Sequence, residues 1–345
     1  MKKTVFVLIY LIIFCGCASS SFSIRKAYRL SYKPFVTAGC QIFDDEMRLV
    51  KTLPGYVLCL PDPDGGWTVV SPLAVYHYNF DGQIKWNISG FFHHQAVITE
   101  DRYTLALGSE TIEQHGVKTR FDIVYKIDPF GNIVAKNKLS ENFKDYLKFK
   151  NSNFNNPALA TDPFIKTFSG AEIELTHINT INESQNGYII YDLILGSCVV
   201  LDKKSLQFAG LYFTPQAHQA LPDPSKTIRI HDCQKTDDDN WLFYSNSEIH
   251  APGQNTFALH EVSTGKSKTL YFDNPSLRID TSMNGSVQKL GERGYLATSI
   301  GPDGASYLDF MDAQGNSLFR KKILSHVIQS RVQNLQSFIE RNEAE

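Results

Sequence analysis

RIHDCQKTDDDNWLFYSN, residues 229–246, sets His231 and Asp232 ahead of a polar turn (Asp237, Asp238, Asp239, Asn240), and that turn ahead of the apolar strand Trp241–Leu242–Phe243–Tyr244. The same order appears earlier, in FFHHQAVITEDRYTLALGS at 91–109. There His94 precedes Leu105 by the interval that separates His231 from Leu242. A third histidine, His177, stands just before a turn and a strand in ELTHINTINESQNGYIIYD, residues 174–192. Histidines recurring at one place in a repeated unit imply a closed repeat architecture, where equivalent positions converge on the axis.

Between these histidine strands lies a second kind of hairpin. Its clearest copies are VYHYNFDGQIKWNI, IVYKIDPFGNIVAK and YLDFMDAQGNSLFRK, with weaker ones in CVVLDKKSLQFAGLYF and FALHEVSTGKSKTLYF. Asp81–Gly82, Gly131 and Gly315 supply the turns, because glycine reaches positive φ at no steric cost. The copies recur at roughly 50 to 70 residues, within or somewhat above the length of a propeller blade. One histidine-type hairpin plus one glycine-turn hairpin makes a four-stranded blade. Five units are visible, and Tyr56–Leu60 with Trp67–Val70 completes a sixth. The expected fold is therefore all-β, a six-bladed β-propeller over 40–320, with a pair of sandwiches or a β-solenoid as the alternative. Residues 141–170, Asn-rich and broken by Pro157 and Pro163, read as a short helix and a long excursion. Residues 321–345 read as a C-terminal amphipathic helix, with Ile323, Val327, Ile328, Val332, Leu335, Phe338 and Ile339 at helical spacing.

The chain's 345 residues suffice for a large core, and a net charge of −2 without a basic stripe excludes a nucleic-acid footprint. Lys2 and Lys3 precede an apolar run, Val5–Phe14, of signal-peptide length and too short to span a membrane. The run ends in Cys15–Gly16–Cys17, which resembles a bacterial lipobox with Cys17 as the lipidated residue. That assigns 1–17 to a signal peptide and 18–39 to a tether. Ala18 in the retention position points to the periplasmic face of the outer membrane. Export leaves Cys40, Cys59, Cys198 and Cys233 in an oxidising compartment, with three full pairings open. Cys233 beside His231 reads as a small buried hydrophobe rather than a catalytic thiol. No CxxC or HExxH spacing occurs, so neither a metal nor another cofactor is expected.

FFHHQAVITEDRYTLAL, THINTI…GYIIYDL, HDCQ…NWLFYSN and GSVQKLGERGYLATS, in this order, resemble the blade signatures of the PAPS-independent arylsulfate sulfotransferases. That family's pattern is a His-Asp or His-His-Asp start, then His-x-Asn-Ser-Ile, His-Asp-Ala-Gln and a Val-Gln strand. FDGQIKW and IDPFGNIV match its Asp-x-x-Gly hairpins. The similarity covers most of residues 75–320. It implies sulfuryl transfer from a phenolic sulfate to a phenol by a ping-pong route near the central channel. The nucleophile motif falls on His231. His94 and His177 fall on the other pocket histidines, and Asn179 and His93 on substrate-binding positions.

The chemistry suits these residue types. Sulfuryl transfer, like phosphoryl transfer, passes through a loose state with negative charge on its equatorial oxygens. It needs a neutral nitrogen nucleophile and donors around those oxygens, which imidazoles supply near neutral pH. Two departures stand against it. No arginine occurs from Tyr188 to Asp202, where the family places one near Ile194, and Gln95 replaces the acid after the first blade histidine. Arg229 and Arg278 are the candidate substitutes. The alternative is a catalytically inactive propeller binding a small ligand, glycan or protein at the cell envelope, and a metal site among the three histidines is a further one.

Overall fold

The computed structural model describes short strands between residues 36 and 52 and at 165–166, and residues 58–145 and 173–323 with gaps, the longest at 213–228 and 272–284. Hairpin follows hairpin along the chain. β1 (Val36–Ala38), β2 (Gln41–Phe43) and β3 (Leu49–Thr52) form a three-stranded sheet. β4 (Leu58–Pro61), β5 (Trp67–Ser71), β6 (Ala74–Tyr78) and β7 (Ile84–Ser89) form the first four-stranded meander. β8 (Phe91–Ile98), β9 (Thr104–Gln114), β10 (Val117–Ile127) and β11 (Ile133–Lys138) form the next. This sheet is widened by β12 (Ile165–Lys166) and β13 (Ile173–Glu174), the latter running parallel to the start of β10.

Three more meanders follow. They are β14 (Ile178–Ser184), β15 (Gly187–Asp192), β16 (Ser197–Leu201) and β17 (Phe208–Tyr212); β18 (Arg229–Lys235), β19 (Asn240–Asn246), β20 (Asn255–Glu261) and β21 (Lys266–Tyr271); and β22 (Gly285–Lys289), β23 (Tyr295–Ile300), β24 (Ser306–Met311) and β25 (Ser317–Ile323). The first strand of each sheet lies against the first strand of the next, from β1 to β4, β8, β14, β18 and β22. This radial order of antiparallel meanders is a β-propeller, and the first strands line its inner end.

Burial explains why the sheets stack face to face. In Gly187–Asp192 every residue is buried, because alternate side chains leave the strand on opposite faces and both faces are covered. Tyr188 and Ile190 join Leu105, Leu107 and Val124 of the preceding sheet. Ile189 and Tyr191 join Cys233, Trp241 and Phe243 of the following one. Leu242 and Tyr244 then meet Val287, Tyr295 and Ala297. The core is thus a series of slabs between neighbouring blades.

The outer hairpins carry the expected turns. Gly82, Gly131 and Gly315 sit at φ 85°, 89° and 90°. Asp128 Oδ1 accepts the amides of Phe130 and Asn132, and Asp312 Oδ1 those of Gln314 and Asn316. The third-to-fourth-strand turn of the β14–β17 sheet has no glycine; Leu206 takes φ 58° while Asp202 Oδ1 accepts from Lys204 and Ser205. Gly131 is also where blades meet. Trp86 of β7 donates from Nε1 to Pro129 O at 3.0 Å, and a Cβ on Gly131 would lie 2.6 Å from the Trp86 side chain.

Three expectations need correction. Tyr56–Leu60 and Trp67–Val70 do not begin an extra unit: β4 and β5 are the inner hairpin of the sheet whose outer hairpin is VYHYNFDGQIKWNI. The additional sheet is β1–β3, which begins inside the 18–39 segment read as tether. At the other end, β25 continues to Ile323, so 321–323 pair with β24 rather than opening a helix. The remainder of the 321–345 helix lies outside the described residues, as do the signal peptide and Cys17. The short helix of the 141–170 excursion is present at its start, over residues 139–145.

Candidate functional site

Three consecutive inner strands are interrupted at one level. In β8, Phe92 pairs with Gly108 and Ala96 with Ala106, so His93, His94 and Gln95 face the single residue Leu107. In β14, Ile178 pairs with Asp192 and Thr180 with Tyr191, which leaves Asn179 extra. In β18, Ile230 pairs with Ser245 and Asp232 with Tyr244, which leaves His231 extra. The partner strands YIIYD and WLFYS align residue for residue, so the bulges at Asn179 and His231 are equivalent, and that at His93–Gln95 falls at the same height. β22 has no bulge. Bulges bend a strand and re-aim a side chain, and they concentrate beside functional sites.

The register changes one part of the repeat. His94 and His231 are equivalent, as their spacing predicts, but the third equivalent position belongs to Asn179. His177 reaches the site from just before β14. Its ring centroid lies 4.6 Å from that of His94 and 6.4 Å from that of His93. His93 and His94 meet edge to face at 4.8 Å. His94 takes φ 55°, a conformation non-glycine residues seldom adopt. Such strain persists where the surroundings enforce it, often at ligand sites.

A carboxylate that sequence reasoning missed organises the group. Asp122 of β10 is fully buried, and its Oδ1 lies 2.8 Å from His93 Nε2. The same nitrogen hydrogen-bonds to Gly108 O at 3.2 Å. Asp122 Oδ2 accepts the Ile178 amide at 2.7 Å, while the Asp122 amide donates to Thr176 Oγ1 at 2.8 Å. One aspartate therefore lies against a histidine of one blade, whose Nε2 hydrogen bond goes to Gly108 O, and holds the strand start of the next. Asp192, also fully buried, accepts the His177 amide at 3.2 Å. The available signal was a carboxylate inside an apolar strand, FDIVYKI for Asp122 and YIIYDL for Asp192, since buried charges require partners.

Carboxamides stitch the inner strands below this level. Gln95 Oε1 accepts the Ile181 amide at 2.7 Å, Asn182 Nδ2 donates to Cys233 O at 2.8 Å, and Gln234 Nε2 donates to Val287 O. Gln95, standing where the resembled family has an acid, thus joins two blades. Cys233 is buried as expected, but as half of a disulfide to Cys198 with Cα atoms 6.3 Å apart, which ties β18 to β16. Cys59 is also disulfide-bonded, and Cys40 lies outside the described residues.

The structure thus brings together His93, His94 and His177, buries Asn179 at the bulge two residues after His177, and places His231 at the equivalent backbone position of the next blade. The side chains of His231 and Arg229, and the residues Ile194 and Arg278, lie outside what is described. Among the described residues no group of three or more His, Cys, Asp or Glu is arranged to hold a metal ion, and no helix is long and apolar enough to cross a membrane.

No protein-family model matches the chain, and no curated protein matches it significantly. Among solved structures it is similar to a Bacteroides caccae protein of unknown function, at 13% identity over 84% of this chain and 94% of that one, TM-score 0.46. It is also similar to the N-terminal domain of Nup159, at 8% identity over 82% and 71%, TM-score 0.42. The Neurospora crassa Pan2 WD40 domain is similar at 10% identity over 81% and 80%, TM-score 0.36. These likenesses are too distant to bear on function, and the fold rests on the sheets themselves.

Proposed function

We propose that this protein is an exported, lipid-anchored β-propeller that transfers a sulfuryl group from a phenolic sulfate to a phenol. The observation that supports this reading is the run of bulges at one level of three consecutive inner strands, which falls on His93–His94, Asn179 and His231, with the His177 ring against those of His93 and His94. A nitrogen lone pair of His231 attacks sulfur, and the sulfur–oxygen bond to the phenol breaks with its electron pair on oxygen. The phenolate takes a proton from a neighbouring histidine. The acceptor phenol oxygen then attacks the same sulfur, the nitrogen–sulfur bond breaks, and the acceptor proton returns to the histidine. His94, His177 and Asn179 donate to the equatorial oxygens, where preorganised donors lower the barrier most. Anchoring through Cys17 would hold the propeller at the periplasmic face of the outer membrane.

The test uses the soluble form that begins after Cys17, a chromogenic aryl sulfate and phenol, beside His231→Ala. Phenolate release that needs the acceptor and vanishes in the variant supports the reading. A specific observation favours a second one, a propeller that binds an envelope ligand without turnover: the chain has no arginine between Tyr188 and Asp202. Loss of one oxyanion donor costs about 3 kcal/mol of barrier. Equal background release from both proteins, across several donors, selects the binding propeller.

A further inference from the structure

The ring of His93 is held through Nε2. Nε2 faces two acceptors, the Gly108 carbonyl at 3.2 Å and Asp122 Oδ1 at 2.8 Å. A carbonyl oxygen offers no proton, so Nε2 must carry one. The neutral ring is thereby fixed as the Nε2–H tautomer, and its basic lone pair lies on Nδ1. That atom is buried and has no hydrogen-bond partner among the described residues. An unpartnered buried imidazole nitrogen is costly, and a catalytic role is one of the few explanations for keeping it.

Asp122 touches both ends of this arrangement, as a close charge at His93 and as a hydrogen-bond acceptor at Ile178. Through Oδ1 it faces His93 in β8, and through Oδ2 it accepts the Ile178 amide at 2.7 Å, next to both His177 and Asn179. Its own amide is held by Thr176 Oγ1. A flip of the His93 ring would cost its hydrogen bond to Gly108 O and take the Nε2 proton away from the fully buried Asp122 carboxylate.

We propose that His93 Nδ1 is the proton-exchanging atom of the site and that Asp122 is its positioning residue. This rests on the sulfuryl-transfer reading for the step it serves. When the sulfur–oxygen bond breaks, protonated Nδ1 gives its proton to the departing phenol oxygen. In the second half-reaction neutral Nδ1 takes the acceptor's hydroxyl proton. No other co-reactant is needed.

Two measurements test this, and they fail separately. The first is the tautomer of His93 in protein labelled with 15N at histidine, assigned by comparison with His93→Gln. Nε2–H in the parent protein, with the Nδ1–H form appearing in Asp122→Asn, supports the positioning role. Nδ1–H in the parent overturns it, whatever the protein's activity. The second is transfer rate against leaving-group basicity for a series of aryl sulfates. His93→Gln and Asp122→Asn should lose about 100-fold with unsubstituted phenyl sulfate and little with nitrophenyl sulfate. A uniform loss across the series overturns the proton-transfer role. If Asp122→Asn does not fold, His93→Gln alone decides the series. Absence of transfer in the parent protein defeats the sulfuryl reading and the step assigned to Nδ1, leaving the tautomer result to stand or fall by itself.

Discussion

At the scale of the residue, the site is maintained against local backbone preference. His94 stands at φ 55° inside a strand, where steric contact between Cβ and the backbone disfavours any side chain and β-branched ones most. Asparagine tolerates this region because its short polar side chain bonds locally. Valine does not. Replacing His94 by Val should therefore cost about 1–2 kcal/mol more stability than replacing it by Asn, read as the difference in urea midpoints at equal slope. Equal midpoints would mean that the strand straightens when the imidazole is gone, and that the bulge follows from the side chain. The histidines were legible in the sequence because their spacing to the next apolar strand repeats. The strain was not, because nothing in FFHHQAVI distinguishes a bulged strand from a straight one.

At the scale of the element, the outer hairpins were the most legible part. An aspartate or asparagine, usually a glycine three residues later, and flanking apolar alternation specify both the turn and its register. Neither partner is required: the Leu206 turn keeps Asp202 and its bonds without a glycine, while the Gly82 turn keeps its glycine with Asn79 Oδ1 accepting the Gln83 amide. These carboxylates are held below their ordinary value of 3.8, in Asp128 and Asp312 first by the side-chain hydrogen bonds from Asn132 and Asn316, in Asp202 first by the Ser205 amide. A carboxyl depressed in the folded state contributes stability that is complete above its unfolded value and lost as pH falls through its folded value. Side-chain 13C titrations should place all three midpoints below 3.8, and Asn132→Ala should move that of Asp128 upward while leaving Asp312 unchanged. A midpoint at the ordinary value would show that the turn forms without the carboxylate. Strand assignment was harder where hairpins differ in kind. Leu58–Pro61 and Trp67–Ser71 carry no histidine, so their place as an inner hairpin emerged only from pairing with Ala74–Tyr78.

At the scale of the molecule, the propeller depends on slabs of apolar side chains between blades, and the order of the blades is enforced by links that cross them. Gln95, Asn182 and Gln234 each reach from one inner strand to the next, and the Cys198–Cys233 disulfide joins the third strand of one blade covalently to the inner strand of the next. Sequence reasoning left three cysteine pairings open, because no local pattern records which strands become neighbours across 35 residues. The bond closes a loop that includes the 213–228 segment, and restricting such a loop in the unfolded chain favours the folded state by about 4 kcal/mol on the chain-entropy account. Cys198→Ser with Cys233→Ser should therefore lower the urea midpoint and raise the concentration dependence of unfolding little, since the slabs Ile189–Trp241 and Tyr191–Phe243 remain. Because Cys233 lies two residues from His231 on β18, the same variant measures how far the bulge relies on the link. If transfer or ligand binding survives in the folded variant at its parental level, the register of β18 is set by Gln234 and the blade core, and the disulfide contributes to stability alone. If it is lost while the fold persists, the covalent link holds the third bulge at the level of the other two.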